Sequence, residues 1–120
     1  MSEARRQGRE VIDYFVQVLE HDTGHLLGYL VDVTEHGFML QSHEPLEGDQ
    51  EQTFRLVLRE PLDGADHIEV TARRVWTREK DTAVFVHNGL QFTRLDDETR
   101  QRIRSLMERH ALEQAGAPAR

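Results

Sequence analysis

The chain has no cysteine. That absence excludes disulfide stapling, thiolate zinc and iron–sulfur sites, and a thiol nucleophile. Serine occurs only at Ser2, Ser42 and Ser105, and none lies in a Gly-x-Ser-x-Gly elbow, so a serine hydrolase is not expected. There is no Walker loop and no Rossmann glycine fingerprint. No apolar run approaches the roughly 18 residues that a membrane span needs, and the opening MSEARRQGRE lacks the apolar stretch of a secretory signal. The expected setting is therefore the cytoplasm, with no membrane insertion. Lysine is nearly absent too: Lys80 is the only one, so the cations are almost all guanidinium.

What is present is acidic overall. Fifteen Lys and Arg face 22 Asp and Glu, a formal net charge of -7, which argues against long nucleic acid or an anionic membrane as a partner. The cations are unevenly placed, with Arg5, Arg6 and Arg9 inside the first nine positions. Guanidinium grips phosphate and guanine edges through paired donors. With 120 residues the chain suffices for one domain with its own core.

Stretches rich in β-branched and aromatic residues recur between turn signals, which predicts an all-β body of short antiparallel strands. The first expected strand covers Ile12 to Glu20, with apolar residues on both faces, as a small closed barrel requires. His21 to Gly24 reads as a hairpin loop returning into Leu26 to Val33, and a sharp reversal at Thr34 to Gly37 leads to Phe38-Met39-Leu40. Further strands are expected at Thr53 to Leu58, His67 to Thr77 and Ala83 to Thr93. Glu44-Pro45-Leu46-Glu47-Gly48 is echoed by Glu60-Pro61-Leu62-Asp63-Gly64, read as one turn chemistry used twice. Beyond Leu95 the apolar period becomes helical, through Ile103, Leu106 and Met107. Asp96 is the expected N-cap, acids fill the first turn, and Arg109 with His110 are placed in the last. The expected organisation is a flexible arm over 1–10, a barrel over 11–95, an amphipathic helix over 96–113 and a disordered tail over 114–120.

Seven histidines raise a metal reading, His21 and His25 foremost, but Thr23-Gly24 between them makes a turn and no His-x-His occurs. No metal, no cofactor and no catalytic residue is expected. A stronger constellation combines Arg5-x-x-x-Arg9 with Asp32-x-Thr34-x-x-Gly37. If Glu20 pairs with His25, paired numbers sum to 45, Asp32 faces position 13, and His36 faces Arg9. Guanidinium forks suit phosphate oxygens or the O6/N7 edge of guanine. A carboxylate at Asp32 complements guanine's N–H donors, and the Thr34 hydroxyl can bond phosphate or base. Gly37 permits a conformation or a close approach that a side chain blocks. This set fits a small anionic guanine nucleotide.

The same residues resemble the PilZ domain, the bacterial receptor module for cyclic di-GMP. Its mark is Arg-x-x-x-Arg followed, some twenty to thirty residues later, by Asp/Asn-x-Ser-x-x-Gly. Here Asp32 follows Arg9 by 23 positions, and Thr34 stands at the Ser position, keeping the hydroxyl and adding a methyl. Asp22-Thr23-Gly24, Leu27-Gly28, Arg74-Val75-Trp76 and Gly89-x-x-Phe92 extend the likeness. The resemblance implies a six-stranded antiparallel β-barrel with a C-terminal helix. It also implies a stand-alone receptor with no enzymatic activity, in which Arg5, Arg6 and Arg9 wrap the nucleotide against Asp32, Thr34 and Gly37. The signal then passes to an unidentified effector protein in motility, pilus or exopolysaccharide control. The alternative is a degenerate module that binds no nucleotide and acts by protein contacts alone.

Overall fold

The computed structural model describes residues 16–79 and 84–116, with side chains described as far as Arg109. Among them are β1 (Gln17–Glu20), β2 (Leu26–Val33), β3 (Gly37–Ser42), β4 (Gln52–Leu62), β5 (Ala65–Arg78), β6 (Val86–Arg94) and α1 (Asp97–Gly116). The six strands close into an antiparallel barrel in the order β1-β2-β3-β6-β5-β4. Closure gives each described strand a neighbour on both sides, which is how a small all-β domain avoids templating aggregation.

Alternation along the strands builds the core. Val18, Leu40, Phe54, Leu56 and Val70 point inward and are almost fully buried. Phe38 meets Phe54 edge to face, with ring centroids 5.8 Å apart. Ile103 and Leu106 of α1 join the same core, and each buried side chain of this size contributes roughly 1.5–3 kcal/mol. The helix starts where expected: the Asp96 carboxylate accepts the Thr99 amide at 2.7 Å, and that bond holds its pKa below the ordinary carboxylate value.

Several boundaries differ from the sequence reading, each for a physical reason. The helix continues through Gln114 to Gly116, where the sequence suggested a tail, because Ala, Leu, Glu and Gln sustain helix until glycine interrupts it. Arg109 is thus mid-helix, and its guanidinium donates to the Glu60 and Pro61 carbonyls at 2.8 Å each, tying α1 to the end of β4. The echoed Pro-Gly segments are not one turn used twice. Glu60 to Leu62 is strand, Leu62 pairs with Ala65, and the reversal is the two-residue turn Asp63-Gly64 with φ of 52° and 82°. Pro61 is tolerated because the β4–β5 register is irregular between Val57 and Leu62. The last strand begins at Val86, leaving Val84 and Phe85 exposed before it.

The other echoed segment lies over one part of the barrel and is held by a buried amide. Asn88 is completely buried. Its Nδ2 donates to the Leu40 carbonyl (3.3 Å) and Ser42 Oγ (3.0 Å), and its Oδ1 accepts from the Leu46 amide (3.2 Å) and the Thr77 hydroxyl (3.0 Å). Ser42 in turn donates to the Glu44 carbonyl at 2.6 Å, and Arg74 Nε to the Gly48 carbonyl at 2.9 Å. A buried polar group is costly unless satisfied, and here Asn88 is satisfied by β3, β5 and the Leu46 amide, so that it ties the 43–51 loop to the barrel.

Candidate functional site

The hairpin that carries the Asp-x-Thr-x-x-Gly segment starts in the expected register. The Glu20 amide donates to the His25 carbonyl at 2.9 Å, and Leu19 pairs with Leu26. A bulge between Val18 and Leu19 then moves the register by one, so that Val18 pairs with Gly28 and Gln17 with Tyr29. The constant sum of 45 therefore becomes 46 before the strand reaches Asp32, because hairpin arithmetic cannot foresee a bulge. Arg5, Arg6, Arg9 and position 13 lie outside the described residues.

A second bulge decides where Asp32 points. Leu30 is buried against Leu40, and simple alternation would bury Asp32 as well. The register instead shifts between Leu30 and Asp32, so that Asp32 pairs with Met39, is exposed, and hands the inward place to Val33. A third does the same on β5. Arg74 pairs with the inward Leu90, the register shifts, and Trp76 faces outward opposite Gly89. Since Met39 pairs with Gly89, the residues Asp32, Met39, Gly89 and Trp76 form one outer rung across four strands. At about 4.8 Å per strand the rung spans roughly 14 Å. Bulges that re-aim side chains in this way concentrate near binding sites.

The rung's surface is shaped by its glycine. A Cβ on Gly89 would fall into the Trp76 indole, so the ring lies down over the β6 backbone. The Arg78 guanidinium sits over the Trp76 ring, 4.9 Å from its centroid, in a cation–π contact that a stacking ligand would have to share or displace. Arg73 and Gln91, both exposed, pair in the neighbouring outer rung next to Gly37. His87 and Gln41 pair on the other side and share a hydrogen bond of 3.1 Å.

The sequence-predicted turn residues cluster at one end of this face. The Asp32 Oδ1 accepts the Val33 amide at 2.9 Å. The Thr34 amide donates to the Gly37 carbonyl at 2.8 Å, while its hydroxyl accepts the His36 amide at 3.1 Å and reaches the Gly37 carbonyl at 3.4 Å. Thr34 is thus an organiser of its own turn, a local side-chain-to-backbone pattern that retains acceptor capacity on the hydroxyl. Gly37 is buried at the start of β3, where a Cβ would strike the Leu90 carbonyl. Its requirement is the close approach of β3 to β6, and no left-handed backbone is involved. Met39, Trp76, Gly89, Arg73 and Arg78 were not assigned to the site from sequence. Trp76 and Gly89 entered only as points of likeness, and the outward placing of Asp32 and Trp76 depends on bulges at Val31 and Val75 that no glycine or proline marks. Among the described residues no group of three or more His, Cys, Asp or Glu side chains is arranged to hold a metal ion, and no helix is long and apolar enough to cross a membrane.

Comparison with known proteins places this geometry. The chain matches the family model described as PilZ domain over residues 3–109. It is similar in structure to the Bacillus subtilis inhibitor of motility (MotI/DgrA), with a TM-score of 0.62 and 15% identity over 83% of this chain, and it spans about half (48%) of that protein's length. It is also similar to the PilZ domain of CeSA from a cellulose-synthesizing bacterium, with a TM-score of 0.52 and 20% identity over 83% of this chain and 92% of that one. No match was found among curated protein sequences. With the family match running from residue 3 into the terminal helix over a closed six-stranded barrel, the chain belongs to the PilZ domain family, whose members are receptor and adaptor modules for cyclic di-GMP.

Proposed function

We propose that this chain is a cyclic di-GMP receptor that binds the dinucleotide on the outer face carrying Asp32, Thr34 and Trp76, closes Arg5, Arg6 and Arg9 over it, and relays the event to an effector protein. The observation that carries this reading is the rung Asp32-Met39-Gly89-Trp76, with an exposed carboxylate at one end and an exposed indole at the other. A carboxylate accepts from the N1–H and N2–H2 donors of guanine, and a flat indole offers a stacking surface for a base. Guanidinium groups supply the complement to two phosphates, and charge-assisted bonds worth roughly 1.5–3 kcal/mol each can offset the roughly 1–2 kcal/mol per residue of ordering a short segment. In this reading Gly37 acts by seating the turn against β6, and no catalytic step is needed.

The output is a change of surface presented to a protein partner in the cytoplasm, with motility, pili or exopolysaccharide as the controlled systems. Calorimetric titration with cyclic di-GMP tests the receptor half. Binding is expected, with GMP far weaker and Arg9→Ala at least tenfold weaker, equivalent to about 1.4 kcal/mol. Undiminished binding by the Arg5→Ala, Arg9→Ala double variant would remove the arm from the site.

A further inference from the structure

The described surface has a second built feature, away from the Asp32–Trp76 rung. Leu26 and Leu27 of β2, with His43, Pro45 and Leu46 of the loop between β3 and β4, line a groove of about 480 Å³. Leu26 is 49% exposed, and Phe85, whose ring is tilted against His43 with centroids 4.9 Å apart, is 42% exposed. Exposed apolar side chains that adjoin one another beside a groove are candidates for an interaction surface.

The groove's wall is fixed in advance. The loop that forms it is held at three backbone points, by Asn88 on the Leu46 amide, Ser42 on the Glu44 carbonyl and Arg74 on the Gly48 carbonyl. A fully buried asparagine spent on a surface loop keeps that loop from collapsing onto its own leucine, and Leu46 packs partly on the core and partly into the groove. A preformed groove lowers the ordering cost of an incoming segment.

The rim carries charge of one sign. Glu20, Glu44 and Glu47 line the groove, and among the described residues no Lys or Arg does. Loop residues 43–51 add Asp49 and contain no Lys or Arg, while Glu51 at the far end of the loop is paired with Arg94. A second copy of the chain placed on a two-fold axis here would set these carboxylates against their equivalents, so self-association is disfavoured.

We infer that this acid-rimmed groove docks a short amphipathic segment of a partner protein, with apolar side chains seated on Leu26, Leu27 and Leu46 and flanking Lys or Arg facing Glu20, Glu44 and Glu47. The inference rests on the relay half of the proposed function and is independent of nucleotide binding. It is tested without nucleotide, on the full chain, by titrating an amphipathic helical peptide of Lys, Leu and Ala and following backbone amide signals. A scrambled peptide of the same composition serves as control. The expected result is shifts confined to Leu26, Leu27 and His43 to Glu47, with binding at least tenfold weaker for the scrambled peptide, for Leu26→Asp and for Glu44→Lys, Glu47→Lys. These positions are exposed, so the variants keep the fold, checked by circular dichroism. Three results would overturn the inference: shifts centred on the Asp32–Trp76 rung, equal binding of the scrambled peptide, or a concentration-dependent dimer in sedimentation that Leu26→Asp abolishes. Failure here leaves the cyclic di-GMP titration untouched, so the two readings fail separately.

Discussion

Asn88→Ala isolates the contribution of the buried amide. The substitution removes four hydrogen bonds, to Leu40, Ser42, Leu46 and Thr77. At a net of about 1 kcal/mol each, partly recovered because the Ser42 hydroxyl keeps its bond to the Glu44 carbonyl, the expected loss is about 3–4 kcal/mol. A chain of 120 residues has a total stability of roughly 6–18 kcal/mol, so the variant still folds but has lost a large fraction. For a domain of this size that corresponds to a fall in Tm of roughly 12–16 °C. Urea unfolding of both proteins measures the loss. Hydrogen exchange at the Leu46 amide measures its location, since that amide gains access to solvent as soon as the loop is released. Ser42→Ala breaks the adjoining link, and the double-mutant cycle with Asn88→Ala is expected to show coupling of about 1 kcal/mol. A loss below about 1 kcal/mol, together with unchanged Leu46 exchange, would refute the claim that the amide pins the loop.

Further expectations follow from other contacts. Gly37→Ala is expected to destabilise the fold by about 1–3 kcal/mol by pushing a methyl against the Leu90 carbonyl, measured by chemical denaturation, so lost nucleotide binding in that variant reports the fold and not a contact. Trp76 is the only tryptophan, so intrinsic fluorescence reports on the proposed base-stacking face, and cyclic di-GMP should quench it in the parent but not in Asp32→Ala at the same nucleotide concentration. Three carboxyls have folded pKa values lowered by hydrogen bonds: Glu51 from the Thr93 hydroxyl, Asp66 from His67 and Asp96 from the Thr99 amide. Because each folded value lies below its unfolded one, their stabilisation is fully present above about pH 4.5 and is lost as the pH falls through the folded values. The Tm should therefore drop on acidification, and less steeply in Asp96→Asn.

Period-two alternation made the strand bodies legible, and period 3.6 made the helix legible, because burial of Leu40, Phe54 and Ile103 leaves a pattern in the sequence itself. Capping at Asp96 was legible for the same local reason. The bulges were not. Val31 and Val75 are ordinary β-branched residues at their bulges, and no glycine or proline marks them, yet they decide that Asp32 and Trp76 face outward on one rung. The two echoed Pro-Gly segments also show the limit of local reading. Their outcomes diverge because Leu62 finds a partner in Ala65, while Leu46 is drawn to Asn88, a residue 42 positions away. Turn chemistry sets what a segment can do, and long-range partners select among the options.

The central claim is that the face bearing Asp32, Thr34 and Trp76 receives cyclic di-GMP. Its most direct test is an amide-resolved titration of the chain with cyclic di-GMP. The account predicts saturable shifts at Asp32, Thr34, Met39 and Gly89 and at the Trp76 indole, accompanied by shifts at Arg5 and Arg9. No shift at saturating nucleotide, or shifts confined to residues off that rung, would contradict it.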